Sequence, residues 1–303
     1  MTLPTLNIIG CGRAARTLAR LWRNAGVLHV AQVFNRGLES SQEAVDFIGA
    51  GEALADLANI RPADFTLIGV PDNQIEAVAG QLAQIRSAKG LKTNGGIAFQ
   101  LSGSQPSEQL AALRECGMAV ASLHPVRSFA DPARSAENFA GTYCGLEGDA
   151  EASAALGTLV EAIGGMPFNI DPSAKALYHA ASVLVCNDLN ALMELGLRCY
   201  EKAGIHRQTA MTLAGPLVRD TLENILNMGP SEALTGPVVR GDDQVVAGHM
   251  AAMSVQMPEV LGAYRELARV NVELAEQRAS GDADGIERIR QLLVSMPTPG
   301  KPA

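Results

Sequence analysis

Leu6-Asn7-Ile8-Ile9-Gly10-Cys11-Gly12-Arg13-Ala14-Ala15-Arg16-Thr17-Leu18-Ala19 decides how the first half of the chain is read. A short apolar run of strand type enters a Gly-x-Gly-x-x-Ala turn, and Leu18, Leu21 and Trp22 then recur at helical spacing. Each small residue has its own physical task. Gly10 permits a tight reversal, Gly12 lets an anion approach the backbone, and Ala15 keeps helix and strand close. The free N–H groups and positive dipole end of a helix favour a pyrophosphate at such a turn. Gly10, Cys11, Gly12, Arg13 and Ala14 are therefore the first candidates for dinucleotide binding.

Outward from that turn, Leu28 to Phe34 reads as a second strand ending in Asn35-Arg36-Gly37. About 20–25 residues past such a glycine motif, an acidic residue binds the ribose 2′-hydroxyl of NAD. Here Asn35 and Arg36 stand instead, so no carboxylate repels a 2′-phosphate and Arg36 can pair with one. The expected cofactor is NADP(H). Glu43 to Phe47 reads as a helix and Ala50-Gly51-Glu52 as a turn. Phe65 to Val70 is a buried parallel-type strand ending in Val70-Pro71-Asp72, with Asp72 or Asn73 suited to N-capping. Ile97 to Leu101 is the next strand, closed by Ser102-Gly103-Ser104, and Met118 to Leu123 delivers His124-Pro125-Val126-Arg127-Ser128-Phe129. Strands alternating with helices predict an α/β fold with a doubly wound parallel sheet, whose ligands lie beyond the carboxyl ends of the strands. Asn35, Arg36, Val70, Pro71, Asp72, Ser102 and Gly103 join the cofactor set on that ground. His124 and Ser128 are candidates for substrate or nicotinamide contacts, or simply cap a connection.

Tyr143 to Leu146 adds a strand, Glu151 to Ile163 a helix and Met166 to Ile170 a last strand. From Ser173 the pattern is helical throughout: Ser173 to Ala203, Arg207 to Met228, Asp242 to Met253, Pro258 to Glu276 and Asp284 to Ser295. The expected organisation is a nucleotide-binding domain over 1–171, an all-helical domain over 172–295 and a frayed proline-bearing tail over 296–303. On the first of these helices Lys175, His179, Ser182, Cys186 and Asn190 form a polar stripe amid apolar neighbours, at ~100° per residue. A polar stripe on a mostly buried helix needs hydrogen-bond partners or a cavity. Lys175 snorkelling and His179 as a hydrogen-bonded core residue are the plainer alternatives. Between two later helices, Leu234-Thr235-Gly236-Pro237-Val238-Val239-Arg240-Gly241-Asp242 frames one arginine with turn formers. Arg240 suits a bidentate anion contact or an ordinary surface ion pair, and Asp242 suits a helix cap.

The 303 residues suffice for two domains and an ample core. Charged residues make up 18% and hydrophobic residues 47%, an ordinary soluble balance. A net charge of −8, no basic cluster and only 4% aromatic residues disfavour nucleic-acid binding. No basic-then-apolar leader is visible, and no uninterrupted apolar run reaches the ~20 residues that span a bilayer. The run around Ala180 to Val185 comes closest, interrupted by Lys175, His179, Asn187 and Asp188. Cys11, Cys116, Cys144, Cys186 and Cys199 are scattered, as reduced thiols are, so the expected compartment is the cytoplasm. No metal-ligand spacing, Gly-x-Ser-x-Gly elbow or Walker lysine occurs.

The Gly-Cys-Gly-Arg-Ala-Ala turn, Val-Pro-Asp at 70–72 and Leu-Ser-Gly at 101–103 resemble the NADP-binding half of the 6-phosphogluconate dehydrogenase-like superfamily, which includes pyrroline-5-carboxylate and ketopantoate reductases. More specifically, Leu-His-Pro-Val-Arg-Ser-Phe-Ala-Asp at 123–131, Lys-Ala-Leu-Tyr-His-Ala-Ala at 175–181 and the 234–242 stretch resemble Rossmann-like proteins carrying the DUF2520 helical domain. That resemblance covers about residues 5–295. It implies an NADP-dependent oxidoreductase with a Rossmann domain, a dimerising helical domain resembling the 6-phosphogluconate dehydrogenase C-terminal domain, and a site in the interdomain cleft. In the β-hydroxyacid and ketopantoate branches, a lysine early in the first C-terminal helix is the general acid, and an asparagine follows one turn later. Lys175 matches the lysine, but His179 replaces the asparagine, which leaves both the substrate class and the proton donor open.

The expected function is hydride transfer from NADPH to a small, anionic carbonyl substrate, such as a 2-keto acid like ketopantoate, or to an imine. Lys175 or His179 then donates the proton, Ser182 or Asn187 orients the substrate, and Arg240 anchors a carboxylate. A non-catalytic NADP sensor, or an interaction protein on a dehydrogenase scaffold, is the alternative.

Overall fold

A computed structural model describes residues 2–90, 95–278 and 282–295. The chain forms two compact units, one running to Cys186 and one beginning at Asn187. The division falls inside a helix, beyond the Asp171-Pro172 step that the sequence pattern singles out.

In the first unit β1 (Thr5–Ile9) leads through the glycine turn into α1 (Arg13–Asn24). β2 (His29–Phe34), α2 (Leu38–Ile48), β3 (Glu52–Leu54), β4 (Phe65–Ile68), α3 (Ile75–Ala88) and β5 (Ile97–Gln100) follow. The unit continues with α4 (Ala111–Arg114), β6 (Ala119–Pro125), α5 (Pro132–Glu137), β7 (Tyr143–Gly148), α6 (Ala150–Glu161) and β8 (Met166–Asn169). They make one eight-stranded sheet in the order β3-β2-β1-β4-β5-β6-β7-β8. Every pair is parallel except β6 with β7, where His124 lies opposite Gly145 and Pro125 opposite Cys144. The doubly wound sheet is thus parallel with one antiparallel step.

Helices on both faces make the central strands apolar on both sides. Ile8, Leu67, Phe99 and Ala121 supply one core and Ile9, Ile68, Ala98 and Val120 the other, as the period-two alternation of a strand dictates. Trp22 of α1 is wholly buried in the first core, edge-on to Phe99, and its indole N–H donates to the Leu159 carbonyl at 2.9 Å.

Two local readings are corrected. The stretch read as a turn at 50–52 runs into edge strand β3, and α2 begins at Leu38 instead of Glu43. Both carry weak patterns: β3 is three residues with an exposed Glu52, and the first turn of α2 faces solvent.

A short turn of 3-10 helix over Pro172–Ala174, capped by Asp171, opens α7 (Lys175–Lys202). α8 (Arg207–Met228), α9 (Pro230–Ala233), α10 (Asp243–Gln256), α11 (Pro258–Glu276) and α12 (Ala283–Ser295) follow it. In the second unit Val246, Met250, Leu261, Val272, Ile289 and Leu293 form a separate core from α10, α11 and α12. α7 and α8 instead leave large apolar side chains in the open, among them Leu184 at 65% and Leu226 at 84% exposure. The segment Pro172–Lys202, with a mean hydropathy of 1.2, is long and apolar enough to cross a membrane by length and composition. Its first turn, however, carries a lysine buried against the sheet. The tail expected to fray, 296–303, lies outside the described residues.

Candidate functional site

The glycine turn has the steric character the sequence demands. Gly10 has φ +82°, and a Cβ there would stand 2.5 Å from Val70 Cγ1, so only glycine fits. Gly69 approaches from β4 so closely that a side chain on it would meet Gly10 O at 2.4 Å and Ala15 Cβ at 3.0 Å. This is the close helix–strand approach that the small Ala15 allows. At Gly12, by contrast, the nearest atom to an added Cβ is 3.9 Å away, leaving open space at the start of α1. No side chain caps that helix and no acid stands in its first turn. A cavity of about 500 Å³ opens there, lined by Gly10, Cys11, Gly12, Asn35, Arg36 and Val70 among others.

Asn35 has a role the sequence did not suggest. Its Oδ1 accepts from the Cys11 N–H at 2.6 Å, its Nδ2 donates to the Ser40 carbonyl at 2.8 Å, and its own N–H donates to Ser41 Oγ at 2.8 Å. The side chain is engaged in holding the glycine turn against the end of β2. Arg36 is the side chain left to face a ligand at that end of the cavity, with Ser40 beside it, its hydroxyl donating to the Gly37 carbonyl at 2.9 Å. Arg13 and Ala14 form the first turn of α1, Arg13 exposed. Burial pushes the Cys11 thiol up to about 12, which keeps it an inert neutral group.

A second cluster gathers at the ends of β4, β5 and β6 and the first turns of α7. Lys175 does not snorkel. Its ammonium is buried, 1% exposed, donating to the Ser102 carbonyl at 3.0 Å and to Ser122 Oγ at 2.6 Å, with Glu147 Oε1 at 3.5 Å. Glu147 is itself buried and accepts from the backbone and hydroxyl of Ser107 at 2.6 and 2.7 Å. Burial lowers the lysine's pKa from its ordinary value, with the Glu147 charge opposing the shift.

Next to it, Gly103 lies between two imidazoles. A Cβ on Gly103 would stand 2.5 Å from His179 Nδ1 and 2.8 Å from His124 Nε2. The His179 nitrogen is buried and has no hydrogen-bond partner among the described residues. His124 Nδ1 is 2.8 Å from the Tyr178 hydroxyl, and the His124 and His179 rings meet edge to face with centroids 5.8 Å apart. Burial first, then His179 and Lys175, press the His124 pKa down to about 4, with Asp72 opposing. Asp72 accepts from Ser102 Oγ at 2.6 Å and Ser104 Oγ at 3.0 Å, tying the ends of β4 and β5 together.

His124 and Ser128 part company. His124 is the next-to-last residue of strand β6, whereas Ser128 lines a separate polar pocket of about 460 Å³ with Arg127, Asp131, Arg134 and Asn138. Ser182 Oγ donates back to the Tyr178 carbonyl at 3.4 Å. Asn187 and Arg240 belong to the second unit and are exposed. Arg240 is paired with Asp242 at 2.8 Å, so Asp242 stands at the helix start but spends its carboxylate on the arginine. Tyr178, Glu147 and Ser122 escaped the sequence reading. Tyr178 sits within the 175–181 stretch beside His179 and was findable there, while Glu147 on a buried strand gives no signal of its own. Among the described residues no group of three or more His, Cys, Asp or Glu is placed to hold a metal ion.

A Rossmann-type sheet with its glycine cradle, followed by an all-helical region, defines the class of this chain. Residues 142–270 match DUF2520, a domain of unknown function. A search of curated proteins finds no match. Among solved structures, a provisionally named NADP oxidoreductase from Bacteroides fragilis is similar, with 21% identity over 89% of this chain and 98% of that one, TM-score 0.69. A Thermotoga maritima protein whose name states no activity shares 26% identity over 90% and 98%, TM-score 0.70. The 1-pyrroline-5-carboxylate reductase of Streptococcus pyogenes shares the fold at 15% identity over 91% and 99%, TM-score 0.58.

Proposed function

We propose that the chain is an NADPH-dependent reductase acting on a small carbonyl or imine substrate. The observation that carries this is the cavity running from Gly12 to Arg36, steric at Gly10, open at Gly12 and free of acid where the 2′-phosphate of NADP would lie. These residues fit NADP(H). The N-terminus of α1 would hold the pyrophosphate and Arg36 with Ser40 the 2′-phosphate, while Val70 and Pro71 line the wall. When bound, the cofactor supplies a hydride. The chain's part is to orient the substrate and hold a proton beside it.

His179 suits that proton better than Lys175. Lys175 Nζ already has three partners, whereas His179 Nδ1 has none among the described residues. The similarity to a reductase of pyrroline-5-carboxylate makes cyclic imine acids and 2-keto acids, ketopantoate included, the first compounds to try. A small anionic substrate is consistent with Arg240 as an anchor once released from Asp242.

The partner that best accounts for the bare apolar side chains of α7 and α8 is a second copy of the chain. A homodimer in the cytoplasm completes the reading.

The test is a binding comparison followed by turnover. NADPH is expected to raise the melting temperature more than NADH does, and Arg36→Ala to weaken NADPH about 10- to 100-fold while sparing NADH. Equal binding of the two cofactors, or none, removes the assignment.

A further inference from the structure

The hydrogen bond between Tyr178 and His124 joins α7 to the end of β6 and has a direction that can be worked out. Tyr178 is half-buried, with its hydroxyl 3.3 Å from where a Gly145 Cβ would be. Its ring packs edge-on to Phe168 and His124. The phenol stays protonated, pushed up to about 12 by burial and by Cys144. A phenolic O–H in such surroundings needs an acceptor, and His124 Nδ1 at 2.8 Å is the acceptor within reach among the described residues. The alternative, Nδ1–H donating to the phenol, would leave the phenolic hydrogen with no acceptor among the described residues. Neutral imidazole carries one proton, so when Nδ1 accepts, Nε2 must bear it.

We infer that Tyr178 is a positioning residue: by donating to Nδ1 it fixes His124 as the neutral Nε2–H tautomer and aims that N–H past Gly103 at the ligand's reacting heteroatom. Gly103 is the clearance that makes this work. Any side chain there would stand between His124 Nε2 and His179 Nδ1. His179 Nδ1, unpartnered and facing the same glycine, then completes a two-point grip on one heteroatom, one imidazole on either side. A neutral imidazole donor polarises a carbonyl or imine without placing a second cation beside the buried Lys175 ammonium. The neighbouring groups agree with this: His179 and Lys175 disfavour charge on His124, and Asp72, the one opposing carboxylate, is held by Ser102 and Ser104. The ligand's identity rests on the reductase reading; the tautomer does not.

The chain has five histidines, so ring-nitrogen NMR of protein labelled with 15N-histidine, with His124→Asn to identify the signal, reads the tautomer directly. The wild type is expected to show His124 protonated at Nε2 at pH 7. Tyr178→Phe, which removes one oxygen and keeps the ring packing, is expected to mix the two tautomers. Its NADPH turnover should fall about 10- to 100-fold with NADPH affinity unchanged. Wild-type His124 protonated at Nδ1, or a Tyr178→Phe spectrum identical to wild type, overturns the assignment. If the spectrum behaves as expected and no carbonyl or imine is reduced even by the wild type, the reductase reading fails and the His124 tautomer set by Tyr178 stands.

Discussion

An ammonium taken out of water costs several kcal/mol unless a carboxylate and hydrogen bonds meet it. Lys175 has both, and the arrangement ties three strands together: Ser102 follows β5, Ser122 lies on β6 and Glu147 on β7. At the scale of residues, this pair is where stability and site geometry coincide. Glu147→Gln leaves the ammonium without its counter-charge and is expected to lower unfolding free energy by about 3–5 kcal/mol in urea. Lys175→Met strands the carboxylate and should cost a similar amount. The double variant should be clearly less damaged than the sum of the two, because each single change strands a charge that the double removes. Strict additivity would show that the pair is not coupled. A lysine early in a helix beside a nucleotide domain was visible in the sequence as a candidate acid. Its burial was not, because that depends on Glu147, a residue with no local pattern.

At the scale of elements, the turn between β1 and α1 is the clearest case of sequence dictating form. Gly10→Ala requires a side chain at φ +82° and within 2.5 Å of Val70 Cγ1, 2.7 Å of Val70 N and 2.9 Å of the Gly69 carbonyl carbon. Strain and overpacking together predict a loss of about 2–4 kcal/mol and a marked weakening of NADPH binding, measurable by denaturation and by titration. Gly12→Ala, which meets nothing nearer than 3.9 Å, should fold normally and lose cofactor affinity alone. Elements built on strong apolar runs, β1, β4, β5 and the long helices α8 and α11, were legible in the sequence to within two residues. β3 was not, since three residues on an edge, only Leu54 of them buried, are too few to carry a periodicity. The end of β6 was also misjudged: the sequence pattern stops that strand at Leu123, yet it runs on to Pro125, which pairs with Cys144 on β7, and so His124 is fixed on a strand. Long-range pairing of this kind leaves no trace in either stretch alone. The same holds for Asn35, whose place near a ribose-binding position suggested a ligand contact and whose structure shows a brace for the turn.

At the scale of the molecule, the exposed apolar surface of α7 and α8 is the feature that asks for an explanation. Leu184 and Leu217, at 65% and 59% exposure, make little use of their side chains within one chain. Replacing both with glutamate should leave the monomer's fold intact and convert a dimer to monomers in sedimentation velocity at micromolar concentration. A wild-type chain that sediments as a monomer would refute the dimer.

The chain's single tryptophan lies deep in the sheet unit, wedged against Phe99 and bonded to Leu159. Its emission therefore follows the melting of that unit alone, whereas far-ultraviolet dichroism sums the helices of both. The molecule carries its own optical separation of its two halves. A single urea titration read both ways shows whether they come apart together or in turn.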